Sequence, residues 1–209
     1  MPIDVAAIAA NTLGLKVVEA WNVDSGLASP TGRTNLAGWI DRSRKTIAIA
    51  RQLPLEVKRF TLAHEIGHLV TQPNVVPIQF REDPRTDDAI RGEQKSAFER
   101  QADLFAGFMT VPRKLVVDYY TRMFGSALDG ANITENQAYA VLGESGIPSV
   151  IAKMSSLELA ELVAERVSLV FDQPRALAEI FGVSKTAMGI QLLRVGLVRV
   201  SESEIRRPA

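Results

Sequence analysis

The sequence predicts an α+β protein: a small antiparallel sheet and two long helices within residues 1–125, then an all-helical part over residues 126–209. Three observations carry this reading. Two strand-like runs, residues 36–40 and 46–50, flank the polar segment 41–45. Two segments read as long helices: 55–70, apolar on nearly every face past Arg59, and 93–109, with apolar residues at three- and four-residue steps. Beyond Gly125 and Gly130 every periodic stretch is helical: residues 135–142, 155–171, 175–181 and 184–195.

The elements follow in order. Small apolar residues at helical spacing open the chain over residues 3–13, with Gly14 as a stop. Residues 16–23 and then a Gly/Ser/Pro/Thr-rich stretch, 25–34, lead to the two strands, which a charged turn joins as an antiparallel hairpin. Strand 46–50 leads into the next helix and is the expected edge on which an extended peptide could pair. Pro54 suits a helix start, and LEVKRFTLAHEIGHLV is apolar on nearly every face past Arg59, which predicts a buried helix. Residues 74–91, rich in charge and proline, read as a long loop. Phe98, Ala102, Phe105 and Met109 mark the second helix, and Pro112 closes it.

Composition excludes several classes. A chain of 209 residues with 46% hydrophobic content holds one sizeable core or two small lobes. Zero formal net charge gives no overall pull toward nucleic acid or anionic membrane. With no cysteine there is neither a disulfide framework nor a thiolate site, so a bound metal must rely on histidine and carboxylate. Asp4 stands where a signal peptide carries positive charge, and no apolar run approaches the roughly 20 residues of a membrane span. A cytoplasmic protein is expected.

The buried helix contains His64-Glu65-Ile66-Gly67-His68, an HExxH motif. At 3.6 residues per turn both imidazoles share one face, one turn apart, and can bind one ion. Glu65 lies on an adjacent part of the surface, where its carboxylate can take a proton from an attacking water. A catalytic zinc has three protein ligands, and the chain has only these two histidines. The extended pattern HExxHxxGxxH is excluded, because Thr71 and Asn74 occupy its glycine and last-histidine positions. The third ligand must be a carboxylate. On the second helix Glu99 and Asp103 share a face beside Ala102 and Ala106, whose small side chains permit close helix approach. Glu99 is placed to ligate, and Asp103 to accept the second N–H of a ligand histidine. The bland alternative is a pair of ordinary surface carboxylates.

RFTLAHEIGHLV followed by FERQADLFAGFMTVP resembles the ImmA/IrrE family of metallopeptidases, whose pattern is a HEIGH-type helix and then an ExxA(N/D)xFAxxhhxP helix. The resemblance implies a zincin-like peptidase lobe with Zn2+ on His64, His68 and Glu99, and Glu65 as general base. Ala102, Asp103, Phe105, Ala106 and Pro112 fall on the pattern's structural positions. It extends over residues 177–198, similar to the helix-turn-helix segment that follows the peptidase lobe, whereas residues 127–147 match nothing in the pattern. The implied activity is endopeptidase action on a helix-turn-helix repressor that controls a mobile element, a prophage or a stress regulon.

The carboxyl-terminal segment reads as helix, tight turn, helix over residues 175–198, with Ser184 as N-cap and Gly196 as stop. Lys185, Arg194, Arg199, Arg206 and Arg207 make this end basic, and Glu179, Glu202 and Glu204 offset part of that charge. Lys185, Thr186 and Gln191 are its few side chains able to read bases. The segment has three possible roles: structural support, docking of a protein partner, or DNA binding. The alternative function is therefore a DNA- or repressor-binding module with a zinc site for folding alone. An oxyanion donor is needed for hydrolysis, and Tyr119, Tyr120 or an arginine of the charged loop are candidates.

Overall fold

The structure, a computed structural model, describes residues 2–21, 36–72, 78–82, 96–130, 132–143, 148–151, 153–168 and 174–199. The Gly/Ser-rich stretch 25–34 and the loop segments 74–77 and 83–91 lie outside the described residues. Chain packing divides into two compact units, Ile3–Thr110 and the chain from Val111 onward.

In the first unit the Asp4 carboxylate accepts from the Ala7 N–H at 2.9 Å and starts helix α1, Val5–Ala7, which continues as a π-turn over Ile8–Thr12. Four strands follow: β1 Lys16–Ala20, β2 Leu36–Asp41, β3 Thr46–Ala50 and β4 Ile78–Glu82. They form one sheet in the order β1-β3-β2-β4. The β2–β3 hairpin is antiparallel, with Gly38 opposite Ile49 and Asp41 opposite Thr46. Its turn is held by Asp41, whose Oδ1 accepts from the Ser43 hydroxyl at 2.6 Å and the Arg44 N–H at 3.0 Å.

Two expectations are corrected here. The sheet is mixed, because β1 pairs parallel to β3, Lys16 opposite Thr46. A parallel pair needs a long connection, and the chain between β1 and β2 supplies the length. Strand β3 is consequently interior, bonded on both sides, and is no edge for a peptide. The edges among the described strands are β1 and β4. Strand β4 itself arises within the stretch expected to be a loop.

Helix α2, Leu55–Thr71, follows Pro54, and every residue from Thr61 to His68 is buried. Helix α3 spans Ala97–Thr110. Ile40, Ile47, Ala63, Ile66 and Ala106 belong to one core that joins sheet and helices.

The second unit opens with α4, Arg113–Phe124, a helix the sequence reading leaves out; Pro112 begins it as well as ending α3. It continues with β5 Leu128–Asp129, α5 Glu135–Leu142, α6 Pro148–Ile151, α7 Ser156–Glu165, β6 Val167–Ser168, β7 Arg175–Ala176, α8 Leu177–Phe181, α9 Lys185–Val195 and β8 Val198–Arg199. Thr134 and Ser155 form capping boxes with Gln137 and Glu158. Two short ladders, β5–β8 parallel and β6–β7 antiparallel, qualify the all-helical expectation. The α8–turn–α9 pair has the expected punctuation: Ser184 accepts from the Ala187 N–H at 3.2 Å, and Gly182 and Gly196 take left-handed φ of 59° and 76°. Its core gathers Val116, Tyr120, Leu159, Leu177, Met188 and Leu192.

Candidate metal centre

The centre depends on how closely α2 and α3 approach. A Cβ on Gly67 would stand 3.0 Å from the Ala102 carbonyl oxygen and 3.1 Å from its Cα, so a side chain where the helices touch would push them apart by a few tenths of an ångström. Ala102 and Ala106 are fully buried at the same contact. That packing brings Glu99 over the two histidines. His64 Nε2 lies 3.2 Å from one Glu99 carboxylate oxygen and His68 Nε2 lies 3.2 Å from the other. The imidazoles meet edge to face, with centroids 4.6 Å apart.

Behind each ring stands an acceptor for Nδ1. His64 Nδ1 is 2.9 Å from Asp103 Oδ1, and His68 Nδ1 is 2.9 Å from Gln72 Oε1. The Asp103 contact is the one its helix position predicts. Gln72, by contrast, has no role in the sequence reading, although its i,i+4 spacing from His68 is an available signal. Arg42 is a second residue missed from sequence. From the β2–β3 turn its Nη2 donates to the carbonyls of His68, at 2.8 Å, and Gln72, at 3.3 Å, at a helix end whose last carbonyls lack helical partners.

Burial alone would raise the Glu99 carboxyl, but the two imidazoles facing it outweigh burial and hold it at about 2. Burial works against protonation of His68, yet Glu99, Gln72 and Glu65 together push its pKa up. Glu65 is fully buried beside His64 on α2, with the Arg42 guanidinium as an attracting charge. Both Nε2 atoms are buried, and although each is 3.2 Å from a Glu99 oxygen the contact lies outside hydrogen-bond geometry. Such orphaned nitrogens are costly in a packed interior unless a ligand takes their lone pairs. Two imidazole nitrogens and a carboxylate within 4.8 Å of one another are a donor set that suits a divalent cation. The Glu99 side chain, 35% exposed, leaves this group an open side toward solvent.

Both tyrosines considered as oxyanion donors belong to the second unit. Tyr120 is fully buried in the core of the second unit, and Tyr119 packs edge-on against Phe181 there, at 5.8 Å between centroids.

Comparison with curated proteins returns no match. The profile of the M78 peptidase family, described as the IrrE N-terminal-like domain, matches residues 25–139, more than half of the chain's 209 residues. The matched stretch contains His64, Glu65, His68 and Glu99, and by that match this chain belongs to the M78 family of metallopeptidases.

Proposed function

We propose that the protein is a zinc-dependent endopeptidase that cleaves a helix-turn-helix transcriptional repressor, with His64, His68 and Glu99 holding the ion and Glu65 acting as general base. The observation that carries this reading is the convergence of both buried Nε2 atoms on the Glu99 carboxylate, each at 3.2 Å. Zinc, when bound, polarises the scissile carbonyl and lowers the pKa of the attacking water toward neutrality. The other steps belong to the chain. Glu65 takes the proton of that water and returns it to the leaving amine. Its burial keeps bulk water from competing for the proton, and the Arg42 guanidinium is an attracting charge for its carboxylate. Asp103 holds the His64 ring with Nε2 toward the ion. The repressor substrate rests on the resemblance of the two motif segments to ImmA/IrrE proteins.

The DNA-binding alternative loses its reading groups. Gln191 is buried, the Thr186 hydroxyl donates to Glu161 at 2.6 Å, and Lys185 pairs with Glu165 at 3.5 Å. Helix α9 lies tightly on α7, where a Cβ on Gly189 would come within 3.2 Å of the Glu161 nitrogen. Glu161 and Glu165 set two carboxylates beside the turn that would have to meet phosphate. This favours a structural or protein-docking role for the segment.

Co-expression with a repressor encoded beside its gene tests the proposal. The wild-type chain yields a defined cleavage product, and Glu65→Gln retains zinc while turnover falls by at least about 100- to 10,000-fold. Undiminished cleavage by the variant would mean that the zinc serves folding alone.

A further inference from the structure

We infer that Gln72 is a positioning residue that dictates the tautomer of His68, through a hydrogen-bond chain that begins at the backbone next to Glu99. The inference rests on the reading of His64, His68 and Glu99 as metal ligands, and deepens it.

The chain of donors and acceptors admits one arrangement. The Phe98 carbonyl oxygen only accepts, and it lies 2.7 Å from Gln72 Nε2. The amide must therefore turn its NH2 toward Phe98. The same orientation turns Gln72 Oε1 toward His68 Nδ1, at 2.9 Å. An amide oxygen only accepts, so His68 Nδ1 must carry the hydrogen and donate. In a neutral imidazole the remaining nitrogen is then bare. That nitrogen is Nε2, the atom that faces Glu99 at 3.2 Å. Flipping the amide would let His68 take the other tautomer but would set the amide oxygen 2.7 Å from the Phe98 carbonyl oxygen. Gln72 is 3% exposed, so water does not relieve that clash.

The two histidines are thus fixed by unlike acceptors. His64 is backed by a carboxylate, Asp103. His68 is backed by a neutral amide that is anchored on the residue preceding Glu99. A second carboxylate there would fix the same tautomer but would join Glu65, Glu99 and Asp103 as a fourth acid in one small region. The amide orients the ring without adding charge. The anchor also ties the end of α2 to the start of α3, so correct seating of Glu99 and correct protonation of His68 come together.

Two variants separate this role from simple support. Gln72→Met removes acceptor and donor while filling the space, and Gln72→Glu restores an acceptor for His68 but sets its other carboxylate oxygen toward the Phe98 carbonyl, where the amide donated. Zinc ion is titrated against a competing chelator for each protein. Expected is a loss of affinity of about 10- to 100-fold in Gln72→Met, as for other residues that orient metal ligands, with most of it recovered in Gln72→Glu. Equal losses in both variants would reduce Gln72 to a tether, and no loss in either would remove its role altogether. If Gln72→Met does not fold, the His68 nitrogen shifts of the wild-type protein decide: the Nδ1–H form supports the inference and the Nε2–H form overturns it.

A second readout needs no metal. Nitrogen chemical shifts of His68 in the metal-free protein, at a pH where the imidazoles are neutral, should report the Nδ1–H form in wild type and a shift toward the Nε2–H form in Gln72→Met. The same form in both proteins overturns the inference. A wild-type chain that binds no divalent ion defeats the metal reading, and the nitrogen shifts then judge Gln72 by themselves.

Discussion

Each imidazole of the centre is useful only while its Nε2 is bare and aimed, and a single side chain secures that in each case. For His64 that side chain is Asp103, 16% exposed and 2.9 Å from Nδ1. Asp103→Ala should weaken zinc binding by about 10- to 100-fold, measured by chelator competition, without loss of fold. Unchanged affinity would show that helix packing alone orients the ring. A second prediction concerns Asp41, at the turn that carries Arg42. The Ser43 hydroxyl bond holds the Asp41 carboxyl below its ordinary range, against the opposing effect of burial. A depressed folded-state pKa gives stability that is present above the unfolded value, near about 4, and is lost as pH falls through the folded value. Asp41→Asn should therefore cost about 1.5–3 kcal/mol at pH 6 and progressively less below pH 4, in urea titrations at both. A cost independent of pH would sink that assignment. At this scale helical spacing makes His64, Glu65 and His68 legible as one group and Glu99 and Asp103 as another, each on its own helix; what joined the groups was the lack of a third histidine and the resemblance to the family pattern. Arg42 was not legible, since it reaches the centre from a turn 26 positions away in sequence, a relation no periodicity encodes.

Between the elements, the contact of α2 on α3 sets the geometry, and Gly67 is its narrowest point. Gly67→Ala places a methyl group 3.0 Å from the Ala102 carbonyl oxygen, and the listless backbone of two packed helices has little room to yield. The helices must separate by a few tenths of an ångström. Overpacking of this kind costs about 1–3 kcal/mol, and it moves Glu99 away from both rings. Thermal unfolding of the metal-free protein and zinc affinity should both fall; retained affinity at reduced stability would show that Glu99 reseats freely. The small residues at 102 and 106 were readable as a packing surface from sequence. Pairing partners were not. Strand β3 is apolar and buried at four consecutive positions, but so short a run does not tell which strand closes its free side or in which direction. Helix α4 was missed for a related reason: Pro112 was taken as an end, and proline serves equally as the first step of a new helix.

At the scale of the molecule, composition suggested a boundary near residue 125, whereas the packing division falls between Thr110 and Val111. Helix α4 accounts for the difference, because Val116 and Tyr120 are wholly buried in the second core. Among the described residues the two cores have none in common. All three proposed ligands lie in the Ile3–Thr110 unit. A ligand that binds only the folded form stabilises it by RT ln(1 + [L]/Kd), about 4 kcal/mol at a thousandfold excess over Kd, and that gain falls first on the unit that holds the site. The chain provides a selective reporter. Both tryptophans, exposed Trp21 and half-buried Trp39, belong to the metal-site unit, while the carboxyl-terminal unit has none. Adding a strong chelator to the zinc-loaded protein should lower the unfolding midpoint seen by tryptophan fluorescence by on the order of 10 °C or more. Far-UV circular dichroism should then split into two steps, one following the fluorescence and one, from α4 to α9, keeping its temperature. Fluorescence and dichroism that move together by the same amount would mean that the two cores unfold as one and that metal stabilises the whole chain.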